Sequence, residues 1–253
     1  MSASPAPVAH FASFDGVELA YGRMGAGRPL ILLHGLFSNH VMNWEKFGHA
    51  AHLAACGFDV ILPDLRAHGA SAAPQEADFY PQDVLARDLE ALVAHLQLSD
   101  FDLAGFSLGA RTVAQALLRG MQPRRAALAG MGLEGLTHAS RRQQFFLEAM
   151  AHEGSVKMGS PHWFAVQFMR TMKVDPVAAA HVVRTLTDVD AQALAGVDLP
   201  VAVICGDKDR DNGSAPALAD LLPQSRYMEI AGDHVTSVSG PGLGIALGDF
   251  FTA

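Results

Sequence analysis

The sequence predicts an α/β protein with a mostly parallel sheet flanked by helices, and three observations carry that prediction. From Pro29 onward, short apolar runs ending in turn residues alternate with longer amphipathic stretches, the pattern of repeated strand–helix units. The runs show no strict apolar–polar alternation, as expected of strands covered on both faces. Residues 136–196 break the rhythm with a helical pattern free of strand-like runs. That segment reads as a helical cap inserted into one core made of residues 1–135 and 197–253.

The elements follow in order. Phe14 to Arg23 carries an Asp15-Gly16 turn signal between apolar residues, which predicts a small antiparallel opening to the sheet. Leu30–Leu33, Val60–Leu62, Phe101–Ala104, Ala126–Ala129 and Val201–Cys205 are the expected core strands. Pro81 is expected to open a helix, because Val84, Leu85, Leu89, Leu92, Val93 and Leu96 recur on one face. A second helix should follow Ser107 through Val113, Ala114, Leu117 and Leu118 and stop at Gly120. Within the insertion, Phe145, Phe146, Met150, Met158, Trp163, Phe164, Phe168, Met169 and Met172 should face something dry, most as packing and the rest as pocket lining.

Composition narrows the function classes. With 253 residues, half of them hydrophobic and 17% charged, the chain can bury one large core. A formal net charge of −8, with no basic cluster to reverse it locally, disfavours nucleic acid and anionic membrane surfaces as partners. Cys56 and Cys205 are too few and too far apart for a disulfide framework or a zinc site, which points to a reducing cytoplasm. No uncharged stretch is long enough to span a bilayer, and the N-terminus lacks the basic start and apolar centre of a signal peptide. A protein that is neither membrane-bound nor exported is expected.

Gly105-Phe106-Ser107-Leu108-Gly109 lies between a strand run and a helix, the setting a nucleophile elbow requires. Its tight turn needs small residues at 105 and 109, and it lifts the Ser107 hydroxyl above the sheet beside free helix N–H groups. A serine hydroxyl needs a base. His234, in a loop after the strand-like run Tyr227–Ile230, fits the chain order serine, acid, histidine. The acid is expected after Val201–Cys205, where Asp209 is preferred over Asp207 and Asp211, read as turn or cap residues; Glu134 is the outside rival. Backbone N–H groups of Leu36 and Leu108 are the expected oxyanion donors, and His34 is read as structural.

Three segments together resemble the α/β-hydrolase fold family, in its serine esterase or lactonase form, across nearly the whole chain. They are His34-Gly35, the run Asp64-Leu65-Arg66-Ala67-His68-Gly69-Ala70-Ser71, similar to D-x-R-G-x-G-x-S, and the elbow with its late acid and histidine. Ala67 replaces a frequent glycine, and Asp233 stands before His234 where glycine is common. The resemblance implies an α/β-hydrolase fold and cleavage of carboxylic esters through an acyl-enzyme on Ser107, with no cofactor or metal and a small ester-like molecule as partner. Lactonase, thioesterase, C–C bond hydrolase and perhydrolase activities, or a receptor that binds without turnover, remain open, as does the oligomeric state. Serine at the elbow speaks against relatives that open epoxides or carbon–halogen bonds with aspartate.

Other signals are weaker. Gly130-Met131-Gly132-Leu133-Glu134-Gly135 matches G-x-G-x-x-G, but no strand follows to bring an acid near position 155. His49 and His52 read as the exposed side of a helix whose core face is Phe47 and Leu53. Met121–Arg125, Arg141 and Arg142 read as solvated basic spots.

Overall fold

The computed structural model describes residues 6–253; the first five residues of the N-terminal stretch weighed above for export lie outside the described residues. The chain opens with the antiparallel pair β1 (Val8–Ala12) and β2 (Glu18–Gly25), turning at Asp15-Gly16 as expected. Then come β3 (Arg28–Leu33), α1 (His49–Ala55), β4 (Phe58–Pro63), α2 (Val84–His95), β5 (Asp102–Phe106), α3 (Leu108–Leu118) and β6 (Ala126–Ala129). Five helices follow without a strand: α4 (Leu133–Thr137), α5 (Ala139–Ala151), α6 (Trp163–Thr171), α7 (Pro176–Arg184) and α8 (Ala191–Leu194). The chain returns through β7 (Val201–Gly206), α9 (Ala215–Leu221), β8 (Ser225–Ile230), α10 (His234–Ser239) and α11 (Gly242–Thr252).

The eight strands form one sheet in the order β1-β2-β4-β3-β5-β6-β7-β8, parallel from β4 to β8. Successive strand residues point to opposite faces, so β3 sends Leu30 and Leu32 to one core and Ile31 and Leu33 to the other. Both faces need cover. Helices α1 and α11 supply it on one side through Leu53, Leu243, Leu247 and Phe251. On the other side α2, α3 and α9 supply it through Leu89, Val113 and Leu218. Each fully buried leucine or isoleucine contributes roughly 1.5–3 kcal/mol. Alternation is absent from the sequence because both directions are inward. Among the described residues, no helix is long and apolar enough to cross a membrane.

Three expectations need correction. Helix α2, expected to open at Pro81, starts at Val84, because Asp83 has φ +58°, a left-handed conformation that cannot continue a right-handed helix. His49 is buried rather than exposed: α11 packs over α1, and the His49 Nε2–H donates to the Val238 carbonyl at 2.7 Å. Among the apolar residues between β6 and β7, Met150 and Met169 are core, packing with Phe37 from the loop after β3. Met158 and Phe164, however, are 81% and 79% exposed, so they face solvent rather than a dry surface.

Candidate active site

The carboxyl ends of the parallel strands gather the predicted residues at one point. Between β5 and α3, Ser107 takes φ +53° and ψ −108°, a conformation that costs a non-glycine residue about 1–3 kcal/mol. The flanking residues explain how that strain is held. A Cβ at Gly105 would lie 2.2 Å from the Gly109 carbonyl carbon, and one at Gly109 would lie 2.2 Å from the Leu33 oxygen. Only glycine lets the helix close onto the strands this tightly. The Ser107 N–H donates to Ala129 at 2.8 Å, fixing the elbow to β6.

Asp209 and His234 come from loops after β7 and β8 that are tied to each other. The Asp207 carboxylate accepts the Gly232 N–H at 2.8 Å, and the Lys208 N–H donates to the Gly232 carbonyl at 3.1 Å. His234 opens α10, where Asp233 forms a capping box: it accepts the N–H groups of Val235 and Thr236, and the Thr236 hydroxyl accepts the Asp233 N–H. The departure from glycine at 233 is thus a helix cap. The buried Asp209 carboxylate accepts from His234 Nδ1 at 2.7 Å, while His234 Nε2 lies 3.1 Å from Ser107 Oγ. Burial works to raise the Asp209 pKa, but hydrogen bonds from His234 and the Asp211 N–H, with the histidine's field, hold it below the ordinary carboxylate value. Phe106 supports the imidazole with ring centroids 5.0 Å apart. The Cys205 thiol beside Asp209 is pushed up to about 12 by burial and that carboxylate, leaving it a poor nucleophile.

The rivals for the acid are occupied elsewhere. Asp207 ties the two loops, Asp211 faces Arg142 at 3.4 Å, and Glu134 accepts the Ser214 N–H at 2.7 Å. The glycines of the G-x-G-x-x-G segment serve close packing: a Cβ at Gly130 (φ +58°) would meet the Phe106 ring at 2.6 Å, and Gly132 and Gly135 lie against Asn212 and Gly213.

The loop after β3 is fixed around Leu36. The Gly35 N–H donates to Asn43 Oδ1 at 3.1 Å and the Phe37 N–H to His68 Nε2 at 3.1 Å, whereas the N–H groups of Leu36 and Leu108 have no partner among the described residues. His34 is structural as expected: its Nδ1–H donates to Gly35 and its Nε2 accepts the Leu65 N–H at 2.9 Å. Complete burial, with His68 alongside, lowers its pKa to about 3, so it is neutral and can accept that hydrogen bond. Ala67 adopts φ +68°, the reason glycine is common there. Arg66 is fully buried and neutralised by Asp15 and Asp88 at 2.6 Å each.

Above Ser107, Leu36, Leu108, Met131, Phe146, Leu186, Asn212, Arg111 and Arg142 line a narrow cleft that opens to solvent. Arg142 is therefore not simply solvated, in contrast to the sequence reading; its guanidinium lies 5.0 Å from the Phe146 ring centroid.

Residues 28–140 match the family model described as alpha/beta hydrolase fold. An esterase from Exiguobacterium antarcticum superposes with a TM-score of 0.79 over 96% of this chain and 99% of that one, at 18% identity. This is an α/β-hydrolase-fold protein. The enol-lactonase from Burkholderia xenovorans LB400 shares the fold with a TM-score of 0.73, covering 97% of this chain and all of that one, at 20% identity. Among curated relatives, a non-heme haloperoxidase of Rhodococcus erythropolis is 37% identical over 107 residues, 42% of this chain; the match spans about a third of that relative, 36% of its length.

For an α/β-hydrolase-fold chain, several supporting residues escaped the sequence reading. Asn43, His68, Asn212 and Arg111 all shape the site, yet each acts through hydrogen bonds to residues distant in the sequence or beyond its own element and has no local pattern. His68 alone carried a signal, since it lies inside the segment compared with D-x-R-G-x-G-x-S.

Proposed function

We propose that this chain is a serine hydrolase that cleaves carboxylic esters of small to medium size through an acyl-enzyme on Ser107. The observation that carries the reading is the continuous chain Asp209–His234–Ser107, with contacts of 2.7 and 3.1 Å. His234 Nε2 removes the hydroxyl proton as Ser107 Oγ attacks the carbonyl carbon. Asp209 holds the tautomer and stabilises the imidazolium. The free N–H groups of Leu36 and Leu108 receive the oxyanion, each such donor contributing about 10²–10³ in rate. His234 then protonates the departing alkoxide, and in the second half takes a proton from the water that releases the acid.

In this reading helices of residues 136–196 are a cap over the site, the core is 1–135 and 197–253, and the protein works in the cytoplasm on small molecules. The test is reaction with a fluorophosphonate, peptide mass mapping of the adduct, and a panel of matched aryl esters, lactones and thioesters. Labelling at Ser107 with ester turnover fastest bears the proposal out. Labelling without turnover identifies a receptor, and absence of labelling removes Ser107 from the chemistry.

A further inference from the structure

The cleft above Ser107 is apolar except for Asn212 and two cations, and none of the residues lining it is acidic. Arg111, on the first turn of α3, is only 4% exposed, and among the described residues no carboxylate comes within ion-pair distance of it. Carbonyl groups hold it instead, those of Gly135, Leu136 and Thr187, the last at 2.7 Å. They occupy three of its five N–H groups and bring no negative charge. Burial lowers its pKa to about 10, with Asp188 the one acid whose field opposes this, so it remains cationic at neutral pH. Arg142, on α5, faces the same cleft, and its partner Asp211 is at a loose 3.4 Å and nearly half exposed.

A buried cation without a counter-ion is costly unless an anion completes the site. Position within the cleft says which part of a substrate would bring it. The lining includes Ser107 and both oxyanion donors but not His234, which must meet the leaving group. The cleft is therefore the acyl side.

Resting on the serine-hydrolase reading above, we infer that the acyl group of the substrate carries a carboxylate, recognised by Arg142 with the field of Arg111 behind it. The substrate class is the half-ester of a short dicarboxylic acid. Arginine suits this role because its planar fork matches a carboxylate in two hydrogen bonds.

The experiment compares methyl hydrogen glutarate with methyl pentanoate, which have the same acyl carbon chain and differ only in the distal carboxylate. The wild type should prefer the half-ester about tenfold or more in kcat/KM, mainly through KM, and Arg142→Gln should cut that ratio about tenfold, with Arg142→Lys recovering part of it. Binding of the two esters to Ser107→Ala by calorimetry gives a second measure independent of turnover and of whether the arginine variants fold. A wild-type ratio at or below one, a ratio untouched by Arg142→Gln in a folded protein, or equal binding of the two esters to Ser107→Ala overturns the inference. If neither ester turns over and fluorophosphonate does not label Ser107, the hydrolase reading fails; calorimetry then decides the anion site separately, preferential half-ester binding supporting it and equal or absent binding sinking it.

Discussion

Two regions meet at Ser107 and are built on different terms. The strand-end loops, residues 105–109, 206–212 and 230–234, are held by contacts that leave almost no freedom: glycines at van der Waals limits, a capping box, and carboxylates spanning loop to loop. The helices from Leu133 to Leu194 are joined by interchangeable apolar packing around Met150, Met169 and Val183, and present Phe164 and Met158 to solvent. On the proposed mechanism, proton transfer over about 3 Å demands fixed geometry of the first region, whereas the second needs only to fill and exclude. Substitutions in the loops should therefore act on kcat, and those in the helices on which substrates enter.

The sharpest way to break that contrast is Ser107→Ala, expected to lower turnover by on the order of 10⁴-fold or more while circular dichroism stays unchanged, since the half-buried hydroxyl fills no core space. Activity near wild type would mean another nucleophile. Next in size, Asp209→Asn should favour the wrong histidine tautomer and reduce kcat by about 10³–10⁴. Asp207→Asn, which keeps an acceptor for the Gly232 N–H, and Glu134→Gln should cost far less; a reversed order in steady-state assays would reassign the acid.

The third expectation concerns acid stability. His34, His49 and His68 are buried with pKa values lowered by burial, so the unfolded chain takes up protons that the folded one refuses. Their contribution is present above the unfolded value near 6.5 and declines as pH falls below it, by up to about 1.4 kcal/mol per pH unit for each histidine. His40, raised by Asp64 and Glu45 against the opposing effect of its burial, acts in the opposite sense and recovers part of the loss. Urea titrations at pH 7 and pH 5 should give a lower stability at pH 5; a flat or rising profile contradicts the burial described for these rings.

The smallest expected effects lie in the helices. On neutral esters, kcat/KM should rise about fourfold per acyl methylene and then fall once the cleft is full, at short to medium chains. Phe146→Ala should move that maximum to longer acyl groups, read from a chain-length series below the aggregation limit of each ester. A monotonic rise out to long fatty acyl esters in the wild type would show an open groove instead.

What the sequence made legible follows the same division. Ser107, Asp209 and His234 were readable because each stands at a fixed place relative to a strand end, and the five core-strand segments because continuous apolar runs have few other uses. Leu36 could be singled out by position, but not the two hydrogen bonds to its neighbours that isolate its N–H. Arg142 read as a solvated basic spot and Arg111 carried no signal, because facing a cleft and being buried away from carboxylates are properties of the assembled fold. His49 was placed on the wrong side of its helix since the element that covers it, α11, is almost two hundred residues away in the chain.

The carbonyls held by Arg111 belong to residues 135, 136 and 187, so one side chain gathers the start of the helical excursion and the chain just before α8. Fastened at one point, that stretch is thermodynamically a closed loop, whose Ala178 and Val182 pack into the core that covers the sheet. Doubling the length of such a loop adds only about 0.6 kcal/mol of closure entropy. The loops that join the helices between the fastenings can therefore be lengthened at small entropic cost, so long as the apolar contacts with the core are kept. On the mechanism proposed above, one guanidinium thus leaves room for changes of loop length in the helical segment that do not touch the contacts among Ser107, His234 and Asp209.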